Sequence, residues 1–520
     1  MLKTALLLTL AALAQTAAAG PMVTVLIGEN APAMEKLAAE ELSRQFQALF
    51  EAETKIQTSL PSDASPVVLV GSPQTNPSIA ALGDAFWPKL SDQGHLLKST
   101  KTGDHVTLVV GGGSPGATLW AVYELGYRFG VRSLLHGDAL PVQKPPFHLD
   151  GFDVVLEPNV RIRAWNAFIG GWNFALLREM GADSWSLEDQ RRLLTQLSKL
   201  KFTHIYLRIP GLFNSIRVDG DTAGRNAFKG AKVFENPSFA GITNPDEREK
   251  ASAAFIAGLR AHAGQLGITV TDGPLSNTQP LALGANTVSV LPEFSLRQLA
   301  SALDQIRSAR ADGFIASAII PGDLNASVHF ASRASFDEKL TAERALDDLV
   351  TPICGEGVAE RMQKGFDFVE QAAKLIADND SAVGVPNPQV LLRHDASGKA
   401  PPEWWAKAKD LYTQAMNEMY RANTRARGGA RPFILYHAKR MEFAMHYFTA
   451  LDALATAGNA RAKNDAGARA DALEKAVEAI YNALNALADV ARDQSDRGAI
   501  ALLNAHAYHP LLKKLDDPGK

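Results

Sequence analysis

The chain has 520 residues, with 53 lysines and arginines against 56 aspartates and glutamates and a formal net charge of −3. This balance provides neither the basic excess of a nucleic-acid-binding protein nor an acidic tail. The 46% hydrophobic and 21% charged content is that of an ordinary globular protein, and the length predicts about two to four domains. The single cysteine, Cys354, excludes an intramolecular disulfide, and we expect it to be a buried, small apolar side chain.

Residues 1–19 have the pattern of a secretory signal peptide. Lys3 precedes an apolar run over Ala5–Ala14, and Ala17 and Ala19 lie at the A-x-A spacing of a cleavage site. The run is much shorter than the ~20 residues that a membrane-spanning helix requires. We therefore expect cleavage after Ala19 and export to the periplasm or the exterior, with no membrane span.

Residues 22–158 are predicted to form a small mixed α/β domain. Strands and helices mix there without strict alternation, which favours a mixed sheet packed against helices. The expected strands are Val23–Ile27, Val67–Val70, His95–Lys98 and Val106–Val110, and the expected helices are Met34–Phe50 and Gly116–Phe129. The proline-containing segment Pro141–Pro158 is interpreted as a linker.

Residues 159–333 are predicted to form a shortened or incomplete (β/α) barrel. About five strands alternate with helices there, whereas a complete barrel takes ~250 residues and roughly 200 at least. The short segment Gly273–Asn286 is interpreted as a link between an early and a late strand. The expected strands are Val160–Trp165, Thr203–Ile209, Ile268–Thr271, Thr287–Leu291 and Gly313–Ile320, and the expected helices are Leu187–Leu200, Pro245–Leu266 and Ser295–Arg310.

Residues 336–520 are predicted to form a helical bundle. Alanine is dense, the apolar spacing is close to helical, and heptads do not persist as they do in a coiled coil. The expected helices are Ala342–Leu349, Val358–Ala377, Pro402–Arg421, Pro432–Leu454, Ala466–Ala491 and Ala499–Tyr508.

Three acidic residues follow predicted strands of the barrel-like region. Functional side chains of such folds lie on the loops after the carboxyl ends of the strands, and that rule selects Asp272, Glu293 and Asp323 as catalytic candidates. Two carboxyl groups beside a glycosidic bond can provide the proton donor and the base or nucleophile for hydrolysis. Each candidate also has a structural interpretation, because Asp272 and Asp323 adjoin glycine-containing turns and Glu293 precedes a helix start.

The same rule selects six candidate substrate-binding residues. Tryptophan rings suit the C–H faces of sugars, and arginines can bind a carboxylate with two parallel hydrogen bonds. The alternative is that the tryptophans belong to the core and the arginines to internal ion pairs. The six residues are Arg163, Trp165, Asn166, Trp172, Arg208 and His329.

Histidine spacing gives no indication of a metal site. His437 and His446 are nine residues apart in ILYHAKRMEFAMHYF, which is not the i, i+4 pair of a zinc protease. Tyr436, Phe443 and Tyr447 in the same stretch are interpreted as bundle core.

The most specific signal is the segment Val109–Arg132, VVGGGSPGATLWAVYELGYRFGVR. An apolar strand ends at three glycines, and Ser114 and Pro115 then begin an amphipathic helix. This string, with an arginine-bearing strand some thirty residues later, resembles the small domain before the catalytic barrel in alpha-glucuronidases and bacterial β-N-acetylhexosaminidases. The resemblance implies a glycoside hydrolase that acts on sugar chains, including glucuronic-acid-bearing hemicellulose fragments, without a dissociable cofactor.

Two hypotheses about activity follow. In the first, the protein is an exported, alpha-glucuronidase-like glycoside hydrolase with a compact barrel and a two-carboxylate mechanism. In the second, it is a catalytically inactive relative that binds glycans or serves as an interaction protein. Both expect a carbohydrate partner and no nucleic acid.

Overall fold

A computed structural model of the chain describes residues 20–166, 180, 184–206, 215–273, 275–284, 289–317 and 320–516. The first elements form a layer of sheet and helices. They are β1 (Met22–Leu26), α1 (Ala33–Phe50), β2 (Glu53–Gln57), β3 (Val67–Gly71), α2 (Pro77–Ala80), β4 (His95–Thr102), β5 (His105–Gly112), α3 (Pro115–Arg128), β6 (Arg132–Leu134), β7 (Gly137–Ala139) and β8 (Asp153–Leu156).

The first sheet has six strands in the order β2-β1-β3-β5-β4-β8. It is mixed, because β1, β2, β3 and β5 are parallel while β4 runs antiparallel to both β5 and β8. The predicted mixed α/β layer is therefore confirmed. The interpretation of Pro141–Pro158 as a linker is wrong at its end, since β8 lies within it and Leu156 pairs with His95.

The glycine turn before α3 is a structural turn. Ser114 caps the helix by accepting a hydrogen bond from the Ala117 amide at 3.1 Å. A Cβ atom on Gly113 would lie 1.9 Å from the carbonyl oxygen of Ser91, so only glycine fits this close approach of two backbones.

The second sheet and its helices follow in the chain. They are β9 (Ile162–Asn166), α4 (Leu187–Lys199), β10 (His204–Tyr206), β11 (Ile216–Arg217), β12 (Val233–Phe234), α5 (Pro245–Gln265), β13 (Thr269–Thr271), β14 (Thr278–Ala282), α6 (Leu296–Ser308), β15 (Gly313–Ser317) and α7 (Asn325–Ala334). Five of the strands form a sheet in the order β13-β10-β9-β15-β14, and every neighbouring pair is parallel.

This strand order is that of an open barrel segment. The first strand, β9, pairs with the second, β10, and also with the last, β15, as in a closed barrel. In the described ranges, however, no pairing joins β13 to β14, and these two strands are the edges of the sheet. The described residues therefore show an open parallel sheet and not a closed barrel.

One strand of this sheet lies outside the predicted positions. A strand was expected over Thr287–Leu291, but the described residues 289–291 are not in a strand. The strand is instead β14, within the segment that was interpreted as a link. Pro280 lies in β14, and proline in a strand pattern argues against a central strand because it lacks an N–H group. It is tolerated because β14 is an edge strand.

The remaining elements are helices, and the predicted helical C-terminal region is confirmed. They are α8 (Ala342–Cys354), α9 (Ala359–Asn379), α10 (Pro388–Ser397), α11 (Glu403–Arg425), α12 (Arg431–Ala462), α13 (Ala466–Ala488), α14 (Gln494–Leu503) and α15 (His509–Asp516). The long helix α12 packs between α11 and α13. Among the described helices, none combines the length and apolarity needed to cross a bilayer.

A buried carboxylate joins the first layer to the second. Glu124 on α3 accepts hydrogen bonds from Lys201 Nζ at 2.8 Å, Arg333 Nη1 at 2.6 Å and Arg128 Nε at 2.9 Å. Burial by itself raises the pKa of Glu124, but the charges of Arg333 and Lys201 outweigh burial and hold the pKa well below 4.5. Because Lys201 precedes β10 and Arg333 lies on α7, this cluster fixes how the two layers pack.

Replacing Glu124 with glutamine should lower the free energy of unfolding by about 3–5 kcal/mol, since it leaves buried cations without a counter-charge. The pKa of Glu124 is lower in the folded chain than in the unfolded chain. The difference in unfolding free energy between wild type and Glu124→Gln should therefore be largest at neutral pH. It should shrink as the pH falls through the pKa of Glu124 in the folded chain. Urea denaturation at several pH values measures it.

Glu188→Gln is the matched control for Glu124→Gln. Glu188 pairs with Arg192 at 3.3 Å on an exposed helix face, where such pairs contribute about 0–1 kcal/mol. An equal loss of stability in both variants would contradict the role assigned to Glu124.

Candidate functional site

Two of the predicted acids follow neighbouring strands of the open sheet. Glu293 lies on the loop from β14 to α6, and Asp323 lies on a short 3-10 helix, Pro321–Leu324, after β15. Because β14 and β15 are adjacent and parallel, both loops lie at the carboxyl end of the sheet. Both residues are buried, with 5% exposure each.

Glu293 is a buried carboxyl group with an unused oxygen. Among the described residues, its Oε1 has no hydrogen-bond partner. Burial raises the pKa of Glu293 to about 8, and a hydrogen bond with Ser289 opposes that rise only in part. The group is therefore mostly protonated at neutral pH, which is the state that a proton donor requires.

Asp323 forms a buried, bidentate ion pair with Arg440 of α12. Arg440 donates from Nε to Oδ1 at 2.8 Å and from Nη2 to Oδ2 at 2.7 Å, and Nη2 also donates to the carbonyl of Val290 at 2.6 Å. Burial lowers the pKa of Arg440, but the charge of Asp323 and its hydrogen bonds outweigh burial and raise it above its usual value. Arg440 thus holds the loop of Asp323 and the loop of Glu293 together.

Tyrosines of the helical region pack over the same two loops. Tyr412 of α11 donates to the carbonyl of Pro292 at 3.2 Å, and Tyr436 of α12 donates to Asp496 Oδ1 at 2.8 Å. A Cβ atom on Gly322 would lie 2.3 Å from Tyr436 Oη, so the 3-10 helix can approach α12 only with glycine there. The loops that follow β14 and β15 are therefore covered by α11 and α12.

A third buried acid, Asp496, lies behind Tyr436. Burial, reinforced by the nearby charge of Asp493, raises the pKa of Asp496 to about 6. A hydrogen bond from the Arg492 amide to Asp496 opposes this rise only in part. The strand-end rule selects neither Asp496 nor Arg440, because both lie on helices. A signal for Arg440 was present, since Tyr436, Arg440, Phe443 and Tyr447 recur at helical spacing and place the arginine on the buried face of α12.

Asp272 is not brought together with the other two acids. It follows β13, which lies at the opposite edge of the sheet from β14. Its side chain is 80% exposed, with the Arg260 guanidinium 3.6 Å away.

Arg163 lies away from the carboxyl end of the strands. It is near the start of β9, completely buried, and it donates to the carbonyl oxygens of Lys201 and Val160 and to Gln93 Oε1. Its guanidinium also lies over the rings of Trp120 and Phe336. This placement corrects the expectation of a substrate-binding arginine. The guanidinium of Arg163 is used by these internal hydrogen bonds, which join the first layer to the second.

Two more predicted substrate-binding residues are also internal. Trp165 is 2% exposed and packs edge-to-face on Phe202 in the core, so its ring is not offered to a sugar. His329 on α7 stacks on Tyr127 of α3 and is 3% exposed. Burial, reinforced by the charge of Arg132, lowers the pKa of His329 and keeps it neutral. Both expectations are corrected by packing that the strand-end rule does not take into account.

Asn166 is the one described substrate-binding candidate at the carboxyl end of a strand. It ends β9, opposite Tyr206 of β10 and Ser317 of β15, and it is half-buried. Trp172 and Arg208 lie outside the described residues.

The cysteine is buried, and the described residues form no cluster of the metal-ligand type. Cys354 is buried, as expected, and burial raises the pKa of its thiol to about 12. Within the described ranges, no three histidine, cysteine or acidic side chains converge as metal ligands would. His437 is enclosed by the rings of Phe294, Phe366, Phe433 and Tyr436.

Comparison with known proteins places the chain among glycoside hydrolase folds. Residues 8–125 match the family described as glycosyl hydrolase family 67 N-terminus. The structure is similar to that of a family GH115 4-O-methyl-alpha-glucuronidase with specificity for decorated arabinogalactans. The TM-score is 0.55 and the sequence identity is 12%, and the match covers 93% of this chain and 79% of that one.

A second similar structure is a GH138 enzyme that targets pectin rhamnogalacturonan II. Its TM-score is 0.50 and its identity 9%, over 96% of this chain and 99% of that one. No curated protein matches the chain in amino-acid sequence. The predicted resemblance to alpha-glucuronidase-like glycoside hydrolases is confirmed for the N-terminal segment and for the fold.

Breaking the pair of Asp323 and Arg440 should destabilise the protein. Asp323→Asn and Arg440→Met should each lower the free energy of unfolding by about 3–5 kcal/mol, because each leaves one buried charge without its partner. The double variant Asp323→Leu/Arg440→Met should recover most of that loss. Urea denaturation measures all three. Asp304→Asn, which removes a 72%-exposed partner of Arg307, is the control with little expected change.

Glu293→Gln keeps the shape of the side chain and removes its titration. The pKa of Glu293 is higher in the folded chain, at about 8, than its ordinary value of 4.5. The wild type should therefore lose stability relative to the variant as the pH rises through this interval, by roughly 1.4 kcal/mol per unit of pKa difference. Urea denaturation across the interval measures it. A stability difference that is constant with pH would contradict the raised pKa.

Proposed function

We propose that the protein is an exported glycoside hydrolase in which Glu293 donates the proton to the leaving sugar. The observation that carries this proposal is a buried carboxyl group with one unpaired oxygen, protonated near neutral pH, at the carboxyl end of a parallel sheet. Perturbed carboxyl groups in that position are candidates for acid catalysis. The similarity to glycoside hydrolase folds supports the choice of reaction.

In the proposed reaction, the proton of Glu293 goes to the glycosidic oxygen as its bond to the anomeric carbon breaks. A second carboxylate either takes a proton from an attacking water or attacks the anomeric carbon itself. Asp323 is our candidate because it follows the neighbouring strand, whereas Asp272 lies at the opposite edge of the sheet. Asn166 ends β9, Trp172 comes after β9 in the chain and Arg208 comes after β10, and we propose that all three contact the sugar.

We propose alpha-linked glucuronic acid as the sugar that is released. One structural neighbour is a 4-O-methyl-alpha-glucuronidase, and the family matched by residues 8–125 is a glycosyl hydrolase family. Arg208 is the candidate partner for the uronate carboxylate, since Arg163 is occupied by internal hydrogen bonds.

One observation favours a second candidate function, glycan binding without turnover. Arg440 engages both oxygens of Asp323, so this carboxylate would have to leave a buried ion pair to act as base or nucleophile. In that case, the carboxyl end of the sheet would bind a sugar but would lack the second catalytic group.

Turnover measurements separate the two functions. The purified chain is incubated with glucuronic-acid-bearing oligosaccharides, and released uronic acid is measured. Glu293→Gln should lower kcat by about 10²–10⁴-fold, the range expected for loss of a general acid. Glu249→Gln, an exposed acid on α5, is the matched control and should keep full activity.

Hydrolysis that Glu293→Gln leaves unchanged would overturn the role of Glu293. Oligosaccharide binding by a folded wild-type chain, with no released sugar, would favour the second function. Export is tested separately by sequencing the amino terminus of the mature protein, which we propose begins at Gly20.

A further inference from the structure

The helical region contains a cavity of about 390 Å³ that the proposed reaction does not use. It lies between the end of α10, the start of α11 and Ala455 of α12. Six of its lining residues have charged, polar or aromatic side chains: Asp380, Arg393, His394, Lys399, Trp404 and Trp405. We propose that this cavity binds a uronic acid, as a free sugar or as a unit of a sugar chain. Its volume is within the range of small-molecule sites, roughly 300–1,000 Å³.

Two residues of the cavity lining each have a buried ring nitrogen that lacks a partner within the described part of the chain. Trp405 is 3% exposed, and neither its Nε1 nor the Nε2 of His394 has a hydrogen-bond partner among the described residues. Native proteins rarely leave buried donors unpaired. The two rings meet edge-to-face with their centroids 4.7 Å apart, which fixes their positions in the wall.

The charges of the cavity favour an anion. Arg393 and Lys399 contribute two positive charges, and Asp380, which pairs with Arg393, contributes one negative charge. Lys399 forms no ion pair with any described residue. Helix α11 begins at Glu403 with no side-chain cap, so its first amide groups add positive potential at the cavity. Glu403 itself is not part of the lining.

An aromatic wall favours a ring-shaped ligand. Trp404 is half-buried and lines the cavity, and its ring is held edge-to-face by Trp405 at 6.1 Å and by Phe448 at 5.9 Å. A fixed indole face suits the C–H face of a sugar ring, while the positive groups suit a carboxylate. A uronic acid carries both features on one small molecule.

This cavity is separate from the site of Glu293 but is connected to it by packing. Phe448, which contacts Trp404, also stacks on Tyr412 at 6.0 Å, and Tyr412 bonds the carbonyl next to Glu293. The choice of a uronic acid rests on the proposed function, since an enzyme acting on acidic sugar chains gains from holding the chain at a second point.

The test measures binding of glucuronate and glucose to the full chain by calorimetry. Glucose is the neutral counterpart of glucuronate, and we expect it to bind at least tenfold more weakly. Lys399→Gln should weaken glucuronate binding roughly tenfold, since it removes a charged donor, and Trp404→Leu should weaken it by removing the aromatic face. Lys407→Gln, an exposed lysine of α11 outside the cavity, is the matched control and should bind as the wild type does.

The absence of glucuronate binding at millimolar concentration, or binding that Lys399→Gln and Trp404→Leu leave unchanged, would overturn the site. Benzoate binding with no glucuronate binding would overturn the assignment to a sugar.

Glu293→Gln separates this proposal from the proposed function. If glucuronate binds equally to wild type and Glu293→Gln, and Lys399→Gln weakens it, the cavity site stands even where no sugar chain is hydrolysed. If the wild type hydrolyses its substrate but Lys399→Gln binds glucuronate as the wild type does, only the cavity site is overturned.

Discussion

The buried ion pair between Asp323 and Arg440 is the interaction on which the arrangement of sheet and helices depends. It joins the loop after β15 to the middle of α12, and the same guanidinium also binds the carbonyl of Val290 on the neighbouring loop. Removing two charges from water is costly, so the pair requires its bidentate geometry and the Val290 carbonyl, and Arg440 Nη1 still has no partner among the described residues. That requirement fixes the position of α12 over the carboxyl end of the sheet, and with it the enclosure of Glu293.

The buried charged and titratable groups at the two ends of the second sheet differ in how fully they are hydrogen-bonded. At the amino end, Arg163 and Glu124 are buried but fully engaged, by backbone carbonyls and by three cations respectively. At the carboxyl end, Glu293 keeps an oxygen without a partner in the described part of the chain. A buried polar group that is left unsatisfied calls for a functional explanation, whereas a satisfied one is explained by packing. This contrast is why Glu293 carries the proposal and Arg163 does not.

The helical region packs against the loops that follow β14 and β15 of the open sheet. In the described residues, β13 and β14 are edges, and an uncovered edge offers its backbone groups to other chains. Pro280 in β14 has no N–H group, so this edge offers one backbone donor fewer to another chain. Arg440 and Tyr412 attach α12 and α11 to the loop after β14, which lies at the carboxyl end of the sheet and not along its edge. Stability and the environment of Glu293 therefore come from the same helices.

The sequence by itself determined the elements whose signals are local. The cap at Ser114, the amphipathic helices and the mixed first sheet follow from side-chain spacing and turn residues within a few positions of one another, and the segment Val109–Arg132 was enough to indicate the glycoside hydrolase resemblance. Glu293 and Asp323 could be selected because parallel strands present their following loops at one end of the sheet.

The tertiary structure alone decided the environment of those residues. Arg440 is 117 residues from Asp323 in the chain, so no local pattern could pair them. The raised pKa of Glu293 comes from burial under distant helices, and β14 is a strand only because a sheet edge tolerates its proline. The positions of Arg163 and His329 likewise depend on how the two layers pack. Burial and charge pairing depend on distance in space, which spacing along the chain does not specify.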